Sequence, residues 1–199
     1  MLLFNRHFRK NIRLKGYDYS QAGLYFITIC TNNMKCLYGK IIDEEMILND
    51  YGIIAYNEWL KLPERFPNLE LDVFQIMPNH MHGILALKKN DAVHASLGDA
   101  NMATPPHKAG ASLDPTNTPK TIGDIVGAYK SLVANNCLET FKKIKINDGI
   151  SPDKIPMMGK LWQNNFYEHI IRNDAAHLRI SQYIINNPKK WKGDKFYER

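Results

Sequence analysis

The sequence predicts an α+β fold in which helices pack on a mostly antiparallel sheet. Short runs rich in β-branched and aromatic residues, typical of strands, occur between longer stretches whose apolar residues recur at helical spacing. The coarse order is strand, hairpin, helix, two strands, loop, helix, strand, helix, which favours segregated helices on an antiparallel sheet. At 199 residues, the chain is long enough for one domain with a sizeable core.

The first half of the chain predicts one strand, one hairpin and one helix. Residues 23–31 (GLYFITICT) read as a buried strand. Residues 37–43 and 46–48 read as a hairpin closed around Glu44 and Glu45. A helix follows from Asn49, which suits an N-cap, to residue 62, and Pro63 is expected to stop it.

The middle of the chain predicts an antiparallel pair and then a long insertion. Residues 69–77 and 82–88 read as strands separated by the four residues 78–81, so that a pair of histidines lies at the edge of a sheet. Residues 89–120 contain four prolines and show no period. We therefore expect a flexible insertion there.

The last part of the chain predicts two helices with an extended segment between them. A helical stripe covers residues 121–145, and the aromatic residues 161–171 are expected to be extended. A final helix is expected to begin at Asn173 and Asp174 and to end at Pro188, because proline disfavours helical geometry in the residue before it.

Charge and composition narrow the range of functions. The 26 Lys and Arg outweigh the 20 Asp and Glu, and basic residues cluster at both ends of the chain. Such clusters favour a polyanionic partner, although a solvated, solubilising surface would look the same. No apolar run is long enough to span a bilayer, which predicts no membrane contact. Three cysteines without a pairing pattern, and no secretion signal, predict a cytoplasmic protein.

His80 and His82 form the first candidate site. In a strand, two residues that are two positions apart project from the same face, while Met81 points into the core. Two imidazoles placed in this way suit one metal ion. A histidine pair of this spacing also occurs by chance, so a second group must converge on it.

Tyr183 and Asn187 provide the second candidate site. They are four residues apart on the last predicted helix and therefore lie on one face, about a turn from each other. A phenol and an amide oxygen would then point the same way. The alternative is that Tyr183 is a core aromatic and that Asn187 caps the helix before Pro188.

Three motifs occur in order along the chain, from about residue 23 to residue 191. They read Pro78-Asn79-His80-Met81-His82-Gly83, then Trp162-Gln163-x-x-Phe166-Tyr167-Glu168-His169-x-Ile171-Arg172-Asn173, then Tyr183-Ile184-x-x-Asn187-Pro188. In this order they resemble the single-tyrosine HUH transposases, and the branch they resemble most is that of the REP-associated tyrosine transposases.

This resemblance implies a ferredoxin-like HUH nuclease sandwich that acts on hairpin and single-stranded DNA. It makes His80, His82 and Asn187 ligands of Mg²⁺ or Mn²⁺, with open positions for phosphate oxygens. It makes Tyr183 the nucleophile, which would leave a 5′-phosphotyrosine and a free 3′-hydroxyl without ATP. The implied catalytic domain spans residues 23–188, between a basic arm at 1–22 and a basic tail at 189–199.

Other residues receive secondary roles in the same interpretation. Tyr167 is a rival nucleophile, but Ile171 stands where a ligand would be expected, so packing or base stacking is its preferred role. His169 and Arg172 either orient the site or bind phosphate, and a histidine satisfied within the core is the alternative. Candidate DNA contacts are Arg6, Arg9, Lys10, Arg13, Lys130, His169 and Arg172.

Three functions remain open at this point. The first is a metal-dependent transposase that nicks and transfers single DNA strands. The second is a protein that binds structured DNA on the same scaffold without cutting it. The third is a replication initiator or relaxase, although those proteins usually carry larger additional modules. The sequence leaves both a monomer and a homodimer open.

Overall fold

A four-stranded antiparallel sheet forms the centre of the protein in the computed structural model, which describes residue 16 and residues 18–89 and 120–197. The strands are β1 (Gly23–Cys30), β4 (Leu69–Ile76), β5 (His80–Leu87) and β6 (Tyr167–Ile171), and their order across the sheet is β4, β5, β1, β6. A separate hairpin consists of β2 (Gly39–Ile42) and β3 (Glu45–Leu48).

Helices cover both faces of the sheet. The helices are α1 (Asp50–Leu60), α2 (Leu62–Arg65), α3 (Ile122–Asn147) and α4 (Asp174–Ile185). Helices α1 and α3 pack against each other on one face, and α4 packs on β4 and β5 on the other. The predicted α+β fold is therefore confirmed. No helix in the described ranges is long and apolar enough to cross a membrane.

Polar side chains begin the three long helices. The side chain of Asn49 accepts from Gly52 N at the start of α1, and that of Asn173 accepts from Ala176 N at the start of α4. Thr121 and Asp124 form a capping box at the start of α3. Each cap satisfies a backbone N–H that has no partner within its helix.

The larger core lies between the sheet and the α1 and α3 layer. It is built around Trp59, whose ring contacts Tyr129 at 5.2 Å between centroids, and it includes Met81 and Leu85 from β5. Gly83 makes room for the indole, because a Cβ at this position would lie 2.6 Å from Trp59 Cζ2. The alternate residues of β5 face α4, where Ile84 joins a smaller core with Ile171 and Ile184.

Three element boundaries differ from the expected ones. Strand β5 begins at His80, two residues early, because Met77 N bonds to His80 O and only a short turn remains between β4 and β5. Pro63 does not end the first helix but lies in the first turn of α2, where proline fits. Of residues 161–171, only Tyr167–Ile171 forms a strand of the sheet.

The structure describes the C-terminal segment almost completely but little of the N-terminal arm and of the insertion. The basic arm lies outside the described residues except for residues 16 and 18–22, and the insertion lies outside them from residue 90 to residue 119. The segment expected to be a basic tail is described to residue 197. It forms a 3₁₀ helix, Pro188–Gly193, and buries Trp191. This segment packs against the rest of the protein through Trp191 and Phe196.

Candidate active site

His80 and His82 lie side by side on the central strand β5, on the face that α4 covers. Their neighbours across the strand pair are Cys30 and Thr28 of β1. Both imidazoles are buried, with exposures of 0% and 1%. Their Nε2 atoms lie 3.1 Å apart. This is the arrangement that the period of two predicts for strand residues two positions apart.

Asn79 sets the protonation of the first imidazole. Its Nδ2 donates to the carbonyls of Met34, at 3.1 Å, and of Phe196, at 2.7 Å, so its Oδ1 is the atom that faces His80. His80 Nδ1 lies 2.8 Å from this oxygen and therefore carries the proton. The Nε2 atom of His80 consequently presents a lone pair to the site, as a metal-binding imidazole does.

The second imidazole connects the pair to Tyr183. His82 Nδ1 lies 2.8 Å from the Thr28 hydroxyl, and His82 Nε2 lies 3.1 Å from the hydroxyl of Tyr183 on α4. His80 Nε2 carries no proton and presents a lone pair. The neighbouring His82 Nε2 must therefore either donate a hydrogen bond to it or bind the same cation. The two imidazoles and the phenol thus converge on one small polar region.

Asn187 adds an amide oxygen at the end of the same helix. The residue is 1% exposed, and its Oδ1 is buried with no hydrogen-bond partner among the described residues. Its Nδ2 donates to Asp194 Oδ2 at 3.0 Å, which determines the direction of the amide. A buried acceptor without a donor is costly, and a cation would satisfy it.

Burial controls the charge state of these groups. It lowers the pKa of His80 to about 3, with the positive charge of Lys195 acting in the same direction. It lowers the pKa of His82 to about 2, and the neighbouring His80 adds to this effect. Burial raises the pKa of Tyr183 to about 12, and the negative charge of Asp194 contributes. The imidazoles are therefore neutral at pH 7, which is the form that binds metals.

The donor set fits a divalent cation with open coordination positions. It consists of two neutral imidazole nitrogens and one amide oxygen, and the described residues contain no group of three or more His, Cys, Asp or Glu that could hold a metal. A closed structural zinc site would need four protein ligands. A cation held by only three protein ligands would keep positions open for water or phosphate oxygens.

Tyr167 lies on the same sheet face but farther from the histidines. It pairs with Thr28 across β1 and β6, and its ring contacts Phe26 at 6.1 Å between centroids. Phe26 in turn contacts His82 at 5.3 Å. The Phe26 ring therefore lies next to both residues, whereas Tyr183 hydrogen-bonds to His82 directly.

The other predicted contacts are scattered. His169 and Arg172 are exposed, at β6 and just after it. Lys130 lies on α3, where its ammonium donates to the carbonyls of Gln163 and Asn164, at 2.6 and 3.1 Å. It thus stabilises the segment before β6 rather than extending into solvent. Arg6, Arg9, Lys10 and Arg13 lie outside the described residues.

The C-terminal segment contributes groups that the sequence analysis did not assign to the site. The Phe196 ring lies 4.5 Å from that of His80 and 5.9 Å from that of His82, between centroids. Trp191 contacts His80 at 6.0 Å, and Asp194 contacts Asn187. No periodicity in residues 189–197 indicates this packing, so the sequence gives no signal for it. Asn79, by contrast, could have been suspected because it directly precedes the histidines.

Comparison with solved structures finds the same fold in a DNA-bound enzyme. A REP-associated tyrosine transposase bound to a REP hairpin superposes with a TM-score of 0.53 over 89% of this chain and 73% of that chain, at 18% sequence identity. The resemblance noted in the three motifs therefore extends to the fold, and the chain has the fold of a tyrosine transposase.

Sequence comparison identifies a relative that matches along most of this chain. An uncharacterized protein of Haemophilus influenzae is 39% identical over 191 residues, which cover 96% of this chain and 94% of the relative. The chain belongs to the same family as this protein. No protein-family model matches the sequence.

Proposed function

We propose that this protein is a metal-dependent DNA transposase of the single-tyrosine kind, which cuts a single strand beside a hairpin and holds the 5′ end on Tyr183. The observation that carries the proposal is the row of three polar atoms in the site. The Tyr183 hydroxyl is 3.1 Å from His82 Nε2, which is 3.1 Å from His80 Nε2. A nucleophile beside two imidazoles that could hold a cation suits metal-assisted phosphoryl transfer.

In this proposal His80, His82 and Asn187 hold Mg²⁺ or Mn²⁺. The bound cation would polarise the scissile phosphate and stabilise its developing charge. Asn79 keeps the proton on His80 Nδ1, so that His80 Nε2 stays available as a ligand. Thr28 holds the ring of His82 through Nδ1. Both contacts would orient the ligands before the substrate arrives, as hydrogen bonds to the outer nitrogen of a metal-binding imidazole do.

The reaction at Tyr183 exchanges one phosphoester for another. The phenol oxygen bonds to phosphorus, the bond between phosphorus and the 3′ oxygen breaks, and the departing oxygen gains the proton that the phenol loses. A 5′-phosphotyrosine and a free 3′-hydroxyl result, and rejoining reverses the step without ATP. A phenol titrates at about pH 10 and is neutral at pH 7, so attack by Tyr183 requires that its proton be removed.

DNA is the proposed partner, in hairpin and single-stranded form. The fold relative was solved with a REP hairpin bound, and the C-terminal segment of this chain, whose Trp191 and Phe196 contact His80, carries four lysines. The basic residues Arg6, Arg9, Lys10 and Arg13 would add phosphate contacts. The sequence has three cysteines and no Cys-x-x-Cys pair, which favours the cytoplasm as the place of action.

A protein that binds structured DNA without cutting it is the second candidate. It is favoured by the Phe196 ring, which lies against both imidazoles and leaves them almost fully buried. A substrate phosphate could reach His80 and His82 only if this ring moved. Binding on another surface of the protein would not need that movement.

Incubation with end-labelled hairpin DNA that carries single-stranded flanks distinguishes the two candidates. With Mn²⁺ or Mg²⁺, a transposase should yield a nicked strand and a protein–DNA adduct that survives denaturation. The same reaction with EDTA should yield neither product while binding persists. Tight binding without any adduct, across DNAs of varied flanking sequence and with either metal, would support the binding protein instead.

A further inference from the structure

The hydroxyl of Thr28 faces the outer nitrogen of His82. His82 turns its Nε2 atom toward His80 and its Nδ1 atom toward Thr28, whose Oγ1 is 2.8 Å away. Thr28 and His82 are both buried, and they are paired across β1 and β5, so the sheet holds them together. A threonine hydroxyl can donate or accept a hydrogen bond, whereas the Asn79 oxygen that faces His80 can only accept.

The position of the single proton on His82 depends on what lies between the two rings. A neutral imidazole has one N–H and one lone pair, and His80 presents its lone pair 3.1 Å from His82 Nε2. With no cation between them, two lone pairs at this distance would repel each other, so His82 must carry its proton on Nε2. Its Nδ1 then has the lone pair, and the Thr28 hydroxyl must be the donor.

Cation binding requires the opposite distribution. Both Nε2 atoms must then present lone pairs, which places the proton of His82 on Nδ1 and makes Thr28 the acceptor. Two ligands about 2.1 Å from a cation and at right angles to each other lie about 3.0 Å apart. This separation is close to the 3.1 Å between the two nitrogens. The rings can therefore serve both states with little movement, while the proton changes sides.

The change at His82 also reaches Tyr183. The Tyr183 hydroxyl is 3.1 Å from His82 Nε2. When Nε2 carries the proton, its N–H also faces the phenol oxygen and engages a lone pair of the proposed nucleophile. When the proton is on Nδ1, this hydrogen bond is lost. The phenol oxygen is therefore an acceptor for His82 in only one of the two states.

We propose that Thr28 is a positioning residue for His82, which exchanges tautomers when the site binds its cation. Thr28 donates to His82 Nδ1 in the metal-free protein and accepts from it in the metal-bound protein. The N–H bond at Nε2 breaks and one forms at Nδ1 by exchange with water, so His82 stays neutral throughout. This inference rests on the proposed function and adds to it the side chain that couples cation binding to the state of Tyr183.

Nitrogen NMR of the imidazoles reads the tautomer in the full-length protein. Protein labelled with ¹⁵N-histidine would be measured with EDTA and with Zn²⁺, a diamagnetic cation that binds imidazole nitrogen. Protonated and unprotonated ring nitrogens resonate in separate ranges, and the signals lost in His80→Gln and His82→Gln assign the two rings. His82 should carry its proton on Nε2 with EDTA and on Nδ1 with Zn²⁺. His80 should carry its proton on Nδ1 in both samples, because Asn79 accepts from it.

Two replacements of Thr28 measure its contribution to cation binding. Thr28→Val keeps the shape and the strand preference of threonine but has no hydroxyl, so His82 Nδ1 loses its partner in both states. The loss is larger in the metal-bound state, where the hydrogen bond is charge-assisted, so Mn²⁺ affinity measured by electron paramagnetic resonance should fall about 10-fold. Thr28→Ser keeps the hydroxyl and should bind Mn²⁺ as the wild type does. The matched control, Thr140→Val on α3, should also bind normally.

The outcomes separate this inference from the proposed function. A His82 proton that stays on one nitrogen in both samples, while Zn²⁺ shifts His80 Nε2, would overturn the exchange and leave cation binding in place. Normal Mn²⁺ affinity in Thr28→Val would overturn the role of Thr28. If neither Zn²⁺ nor Mn²⁺ affects the two rings, the metal-dependent function fails together with this inference. A proton that changes sides with Zn²⁺, and weaker Mn²⁺ binding in Thr28→Val but not in Thr28→Ser, would support it.

Discussion

Replacement of Asn79 by alanine tests whether the hydrogen bonds of one buried amide hold the candidate metal site. Asn79 is fully buried, and its side chain makes three hydrogen bonds, to His80 Nδ1 and to the carbonyls of Met34 and Phe196. Each bond contributes about 1 kcal/mol, and each buried partner left unsatisfied costs about 1–3 kcal/mol. We expect the free energy of unfolding to fall by about 3–5 kcal/mol.

The same change should weaken metal binding independently of stability. Without the Asn79 oxygen, the proton of His80 is free to move from Nδ1 to Nε2, which removes the lone pair from the site. Loss of the hydrogen-bond partner of a metal-binding imidazole typically costs about 10–100-fold in metal affinity. Titration of Mn²⁺ followed by electron paramagnetic resonance measures the affinity of the folded fraction, and urea unfolding measures the stability.

A matched control and an informative variant make the result interpretable. Asn57→Ala removes an exposed amide from α1 and should change stability by less than about 1 kcal/mol and leave Mn²⁺ affinity unchanged. Asn79→Asp keeps an oxygen for His80 Nδ1 but loses the two donors, so it should lower stability more than affinity. If Asn79→Ala costs less than about 1 kcal/mol and binds Mn²⁺ normally, the reasoning about this amide is wrong.

Three further changes test separate parts of the structure. Gly83→Ala should destabilise the fold by about 1–3 kcal/mol in urea unfolding, because its Cβ would overlap Trp59; unchanged stability would mean that the core adapts. Asp194→Ala should lower Mn²⁺ affinity about 10-fold by freeing the Asn187 amide to rotate, and unchanged affinity would show that Asp194 does not orient it. Tyr167→Phe should cleave DNA at the wild-type rate. A loss of cleavage would show that the Tyr167 hydroxyl takes part in the reaction.

The parts of the fold that depend on local pattern were predictable from the sequence. The two histidines share a face because strand residues alternate, and Met81 between them enters the core. Tyr183 lies in the last turn of α4, and Asn187 lies just after the end of this helix. The two residues are about one turn apart because they are separated by four positions. Asn49 and Thr121 precede helices as caps do.

The parts that depend on tertiary contacts were not predictable in the same way. Asp194 meets Asn187 only because the 3₁₀ helix turns the chain back toward α4, and no composition rule distinguishes this segment from a basic tail. Lys130 looks like any basic residue in the sequence, yet its ammonium bonds two carbonyls more than thirty residues away. Such partners are set by the packing of whole elements, which a single sequence does not specify.

The identity of the residue that becomes linked to DNA tests the central claim most directly. Wild-type protein, Tyr183→Phe and Tyr167→Phe would each be incubated with Mn²⁺ and labelled, hairpin-flanked DNA, and adducts would be mapped by mass spectrometry after proteolysis. The wild type and Tyr167→Phe should carry DNA on Tyr183. Tyr183→Phe should form no adduct while it still binds Mn²⁺ and DNA, because only one oxygen is lost and the ring still packs on Phe26 and His82. An adduct on Tyr167, or one that persists in Tyr183→Phe, would contradict the account.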